Sequence, residues 1–174
     1  MDARARLIRL LQLAHAGERA AAIAYAGHWR SVRAKDECTQ IRRIADEEWD
    51  HRRRLGRMLA ELGARPAPLR ELVMILIGCS IAVSCFVGGW FLPMYGAGKI
   101  ERRNVGEYVD GAAFARAAGL EGLVDELLYM AEIEWDHEQY FRARIDGSRW
   151  LRWFRMWPAL PPRKSLRELP SKAA

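Results

Sequence analysis

The tetrapeptide Glu48-Trp49-Asp50-His51 is spelled out again at Glu134-Trp135-Asp136-His137, and a repeat of this kind within 174 residues constrains the fold. On an α-helix, residues three apart lie about 60° apart around the axis, so each copy turns a carboxylate and an imidazole to one side. Each copy can offer a metal ion two ligands. Two copies suggest two ions.

Glycine and proline divide the rest into long stretches rich in Ala, Leu, Arg and Glu, without the alternation of strands. The pattern predicts an all-α chain with helices over about 3–33, 37–62, 94–118 and 120–146, stopped by Gly63 with Pro66 and Pro68, by Gly119 and by Gly147. Between the second and third lies a run of 27 residues without formal charge, Leu72 to Gly98, broken at Gly88-Gly89 and Pro93.

Register places the repeats inward. The second helix carries the stripe Ile44, Glu48, His51, Leu55, Met58, and the fourth carries Leu127, Met130, Glu134, His137, Phe141. An unpaired charge in such a stripe would be costly. The first helix contributes Leu11, Glu18, Ala22, Tyr25 and Trp29, with Glu18 its single inward carboxylate. The third offers Glu101, beside Val105, Tyr108 and Ala112, or Glu107, beside Arg103 and Asp110. Glu101 is the choice. Heights agree only if the apolar run is a crossover: roughly 18 Å down from His51, roughly 30 Å back up, then roughly 11 Å down to Glu101, at 1.5 Å per residue.

Four carboxylates and two imidazoles, with one Glu from each of two helices and Glu-x-x-His from each of two others, form the ligand set of ferritin-like di-iron bundles. Hard oxygen donors suit iron in both oxidation states and leave room for O₂. The expected fold is a ferritin-like four-helix bundle over 1–147, with an apolar crossover at about 69–92 and a basic, Trp-rich tail over 148–174. His15 is expected close behind the ligands and His28 at the surface. Asp50 and Asp136 either orient the ligand histidines or are solvated. Tyr25 and Tyr108 face the core, and Arg52-Arg53-Arg54 reads as a solvated face.

The chain resembles the demethoxyubiquinone hydroxylase family, the Coq7-type di-iron monooxygenases. The likeness is carried by His15-Ala16-Gly17-Glu18 with Tyr25-Ala26-Gly27, by Glu48 to His51 with Arg65-Pro66, by Glu101 with Tyr108, and by Glu134 with His137, and it covers roughly 5–145. It implies Glu48 and Glu134 as bridging ligands, Glu18 and Glu101 as terminal ones, and His51 and His137 on one iron each. It also implies two Fe ions per chain, O₂ as co-substrate, NADH or another reductant, and hydroxylation of a polyprenyl benzoquinone in ubiquinone biosynthesis. Glu107-Tyr108 departs from the family's usual His-Tyr.

The segment Arg149-Trp150-Leu151-Arg152-Trp153-Phe154-Arg155-Met156-Trp157 mixes cations with indole rings, as at a lipid interface. Seven basic residues and one acidic follow from position 149 onward. With a net charge of +6, the chain is expected to meet anionic lipid, one side of the crossover on the bundle and the other at the bilayer. Other expected partners are the polyprenyl quinone, proteins of quinone biosynthesis and further copies of the chain, but not nucleic acid. Three cysteines, Cys38, Cys79 and Cys85, form no CxxC pair and read as core thiols in a reducing compartment. No signal peptide is read at the N-terminus, so the chain is expected on the cytoplasmic side of the inner (plasma) membrane. The rival readings are ferritin- or rubrerythrin-like iron handling and a metal-free carrier of polyprenyl quinone.

Overall fold

The computed structural model describes residues 2–168. Its five long helices are α1 (Ala3–Ser31), α2 (Lys35–Glu61), α3 (Pro68–Val87), α4 (Phe91–Ala117) and α5 (Glu121–Ile145). Two short 3₁₀ turns follow, Arg149–Arg152 and Arg163–Glu168, and no strand occurs among the described residues. The fold is therefore all-helical, of the helical-bundle kind, with the crossover helix where the sequence puts it.

Local chemistry fixes the boundaries. Asp36 and Glu37 lie in the first turn of α2, where the positive end of the helix dipole favours them. That helix stops because Gly63 adopts φ +64, a conformation costly for residues with a Cβ. The Gly63 amide then donates to the Ala60 carbonyl (2.9 Å) and the Ala64 amide to that of Leu59 (2.8 Å), satisfying two carbonyls at the helix end. Pro68 opens α3, where a missing N–H costs nothing.

The chain groups into two compact units, dividing between Pro93 and Met94. In the first, Leu7 and Leu11 of α1 and Ile41, Ile44, Leu55, Met58 and Leu59 of α2 are wholly buried, each worth roughly 1.5–3 kcal/mol of transfer free energy. Crossover helix α3 packs on α1 through small residues. A Cβ at Gly78 would lie 2.7 Å from the Ala20 carbonyl oxygen, and one at Gly27 would lie 2.5 Å from the Ala82 backbone. The opposite side of α3 exposes Leu69, Leu72, Val73, Leu76, Ile77, Val83, Phe86 and Val87. This helix is long and apolar enough to cross a membrane by length and composition. Cys79 is also exposed, so only Cys85 is a core thiol; Cys38 is half-buried. Burial pushes the Cys85 thiol up to about 11.

In the second unit Met94, Val105, Tyr108, Leu127, Met130, Phe141 and Ile145 are buried. The tail belongs to this unit and does not form a single interfacial segment. Trp150 and Trp153 are exposed beneath Arg149 and Arg152, whereas Trp157 and Leu166 are buried. Its extended stretch lies along α4 and α5. Lys172, the last of its basic residues, lies outside the described residues.

Candidate metal centre

Helix α1 brings Glu18, and α2 brings Glu48 and His51, to one place in the first unit. All three side chains are buried, and each offers a ligand atom within 4.8 Å of those of the other two. The second unit repeats the composition with Glu101 from α4 and Glu134 and His137 from α5, again buried and within 4.8 Å of one another. His137 Nδ1 stands 3.7 Å from Glu134 Oε2. Asn104, one helical turn after Glu101, donates its Nδ2 to Glu101 Oε2 at 3.1 Å.

Two carboxylates and an imidazole gathered out of water call for a counter-charge, because like charges this close repel strongly in a poorly polarisable interior. A divalent cation could supply it. Oxygen and imidazole donors together suit first-row transition ions, so each triad could hold a metal ion.

The remaining expectations divide. Glu101 is fully buried, while Glu107 pairs with Arg103 at 3.0 Å on the outer side of α4. Tyr25 and Tyr108 are core residues, and Tyr25 stacks on His28 with ring centroids 6.2 Å apart. His28 is not at the surface. It is 2 % exposed, and burial pushes its imidazole down to about 4. His15 does not reach the ligands through its polar contacts. Its Nδ1 lies 2.6 Å from Glu71 Oε1, and Arg52 donates to its carbonyl oxygen at 2.6 Å.

Arg52 consequently leaves the solvated face assigned to it and binds Glu71 Oε2 at 2.8 Å, and Arg19 lies 3.4 Å from the same oxygen. Burial pushes the Glu71 carboxyl up, but hydrogen bonds from Arg52 and His15 outweigh it and hold the group below its usual range. Asp50 and Asp136 serve arginines rather than the ligand histidines. Asp50 accepts from Arg54 at 2.6 Å and from Arg53 at 3.2 Å; Asp136 accepts from Arg163 at 3.1 Å. The bond from Arg54 lowers the Asp50 pKa.

Three buried or half-buried carboxylates go unnoticed in the sequence. Glu37 accepts from Trp90 Nε1 at 2.9 Å, Glu138 from Trp157 Nε1 at 2.5 Å, and Glu71 closes the cluster just described. Only Glu71 leaves a trace, as the last charge before the uncharged run. The partners of the other two lie 53 and 19 residues away, beyond any local pattern.

Fold and site together define a helical bundle with buried carboxylate–imidazole triads that could each hold a metal ion. The family model described as "Ubiquinone biosynthesis protein COQ7" matches residues 5–92. The chain belongs to that family, whose fold is ferritin-like, and has a role in ubiquinone biosynthesis. No curated protein and no solved structure matches the chain.

Proposed function

We propose that this chain is a di-iron, O₂-dependent hydroxylase of a polyprenyl benzoquinone ring. The observation carrying the proposal is the second buried triad, Glu101, Glu134 and His137, identical in composition to the one inside the family-matched region. One ion alone would need one triad. In this reading Glu18, Glu48 and His51 would hold one iron and Glu101, Glu134 and His137 the other. When bound, the iron pair would supply the one-electron and O₂ chemistry that no side chain here can perform.

The protein's own part is to hold six donors in place, exclude water and admit an apolar substrate. Overall, a ring C–H becomes C–OH, one oxygen atom of O₂ enters the ring, and the other leaves as water, with two electrons from NADH or another reductant and two protons from that reductant and the solvent. Asn104 keeps the Glu101 carboxylate oriented through its amide. The exposed apolar side of α3 and the Arg-flanked Trp150 and Trp153 are suited to a bilayer that carries both quinone and anionic headgroups. This supports a peripheral or monotopic place at the membrane.

The test is complementation of a strain lacking the quinone-ring hydroxylase, with mass spectrometry of its lipids and elemental analysis of purified protein. Wild type should restore the hydroxylated quinone and carry two irons per chain. Glu48→Ala and Glu134→Ala should each lose more activity than the roughly 10–100-fold that outer-shell partners typically carry. Purified wild type without a transition metal, or Glu48→Ala that complements fully, would remove the proposal.

A further inference from the structure

The extended segment after α5 runs back along α5 and beside α4, and its contacts cluster beside the ligand candidates of the second unit. Arg102, next to Glu101, donates to the Pro158 carbonyl at 2.8 Å. Trp135, next to Glu134, donates its indole N–H to the Pro161 carbonyl at 2.9 Å. His137 is flanked by Asp136, which accepts from Arg163, and by Glu138, which accepts from Trp157.

Trp157 is the centre of this strap. Its ring is buried against Gly98, where a Cβ would lie 2.5 Å from two ring carbons, and it meets Tyr95 edge-on with centroids 5.4 Å apart. Arg142 clamps it, binding Glu138 at 2.8 Å, the Trp157 carbonyl at 3.1 Å and the Pro158 carbonyl at 3.2 Å. Further along, Arg163 and Arg167 bind Glu132 at 3.1 and 2.6 Å. The two copies of the repeated tetrapeptide are thereby distinguished. Trp49 is exposed and Asp50 binds arginines of its own helix, while Trp135 and Asp136 are docking posts for the tail.

We propose that residues 154–167 are a positioning strap for the second metal triad, with Trp157 its principal positioning residue. The strap fixes the rotation of α4 and α5 about their axes at the turns bearing Glu101, Glu134 and His137. The first triad, whose residues stand on α1 and α2, should depend on it far less. This rests on the metal reading above, and the test separates the two.

Cobalt(II) alone, followed by its visible absorption, is titrated into the metal-free full chain. In a His51→Ala background the intact triad is the second, and in a His137→Ala background it is the first. Trp157→Phe keeps a ring in the pocket but removes the N–H to Glu138. It should weaken cobalt binding at least tenfold in the His51→Ala background and leave the His137→Ala background within twofold. Arg102→Ala, which leaves the buried ring in place, should show the same selectivity at smaller size. Equal losses in both backgrounds, or none in either, would overturn the strap. Wild type that takes up two equivalents while Trp157→Phe changes nothing removes the strap and leaves the metal reading standing; wild type that takes up no cobalt removes both.

Discussion

At His28 the folded protein holds an imidazole whose pKa burial has lowered from about 6.5 to about 4. As pH falls, the unfolded chain takes up this proton first, so stability is fully present above pH 6.5 and is lost as pH drops towards 4. The contribution is on the order of 3 kcal/mol, or roughly 5–10 °C in melting temperature for a chain of this size. His28→Leu should flatten the melting profile over that window while the remaining acids still titrate. An unchanged profile in differential scanning calorimetry would contradict this account. Glu101 and Glu107 give a second contrast at this scale. Glu107 is an outer ion-pair partner of Arg103, worth about 0–1 kcal/mol. Glu107→Ala should therefore complement like wild type, while Glu101→Ala should fail, as scored by quinone content.

Among the elements, α3 depends most on shape. Replacing Gly27 by Ala would gain up to about 1 kcal/mol of helix propensity, but the new Cβ would collide with the Ala82 backbone. Overpacking of this kind costs typically about 1–3 kcal/mol, so the collision outweighs the propensity gain, and urea midpoints for Gly27→Ala and Gly78→Ala should fall. The outward side makes a separate prediction. Leu72→Gln with Leu76→Gln and Phe86→Gln should lower partitioning to phosphatidylglycerol vesicles in flotation assays without lowering the melting temperature, because those side chains are exposed. The helices themselves were legible from spacing and stop residues, because α-helix formation is governed by neighbours within a few positions. The cluster of His15, Arg52 and Glu71 was not legible, since its members come from three helices.

For the whole molecule, metal and stability should be linked. Ligands that bind only the folded chain stabilise it by about 2.7 kcal/mol when present at 100 times their dissociation constant. Chelation should lower the melting temperature by several degrees, and restoring ferrous ion under anaerobic conditions should reverse it. A chain insensitive to chelation would argue against two filled triads. The family match ends at residue 92, almost where the first compact unit ends, so the second triad rests on its own geometry. The repeat announced that triad in the sequence, since Glu-x-x-His on a helix states its own geometry. Glu101 needed an argument from register, which its full burial agrees with.

The sequence by itself determined the helices, their order, the crossover and the inward faces, because each depends on propensity and on apolar periodicity within one segment. Tertiary structure alone decided the fates of the polar residues that share those faces. It buried His28, turned Asp50 and Asp136 towards arginines, and folded Trp157 onto Glu138. The physical reason is that a charge or an indole N–H takes whatever partner packing brings within about 3 Å, and that partner is set by how helices meet rather than by its place in the chain.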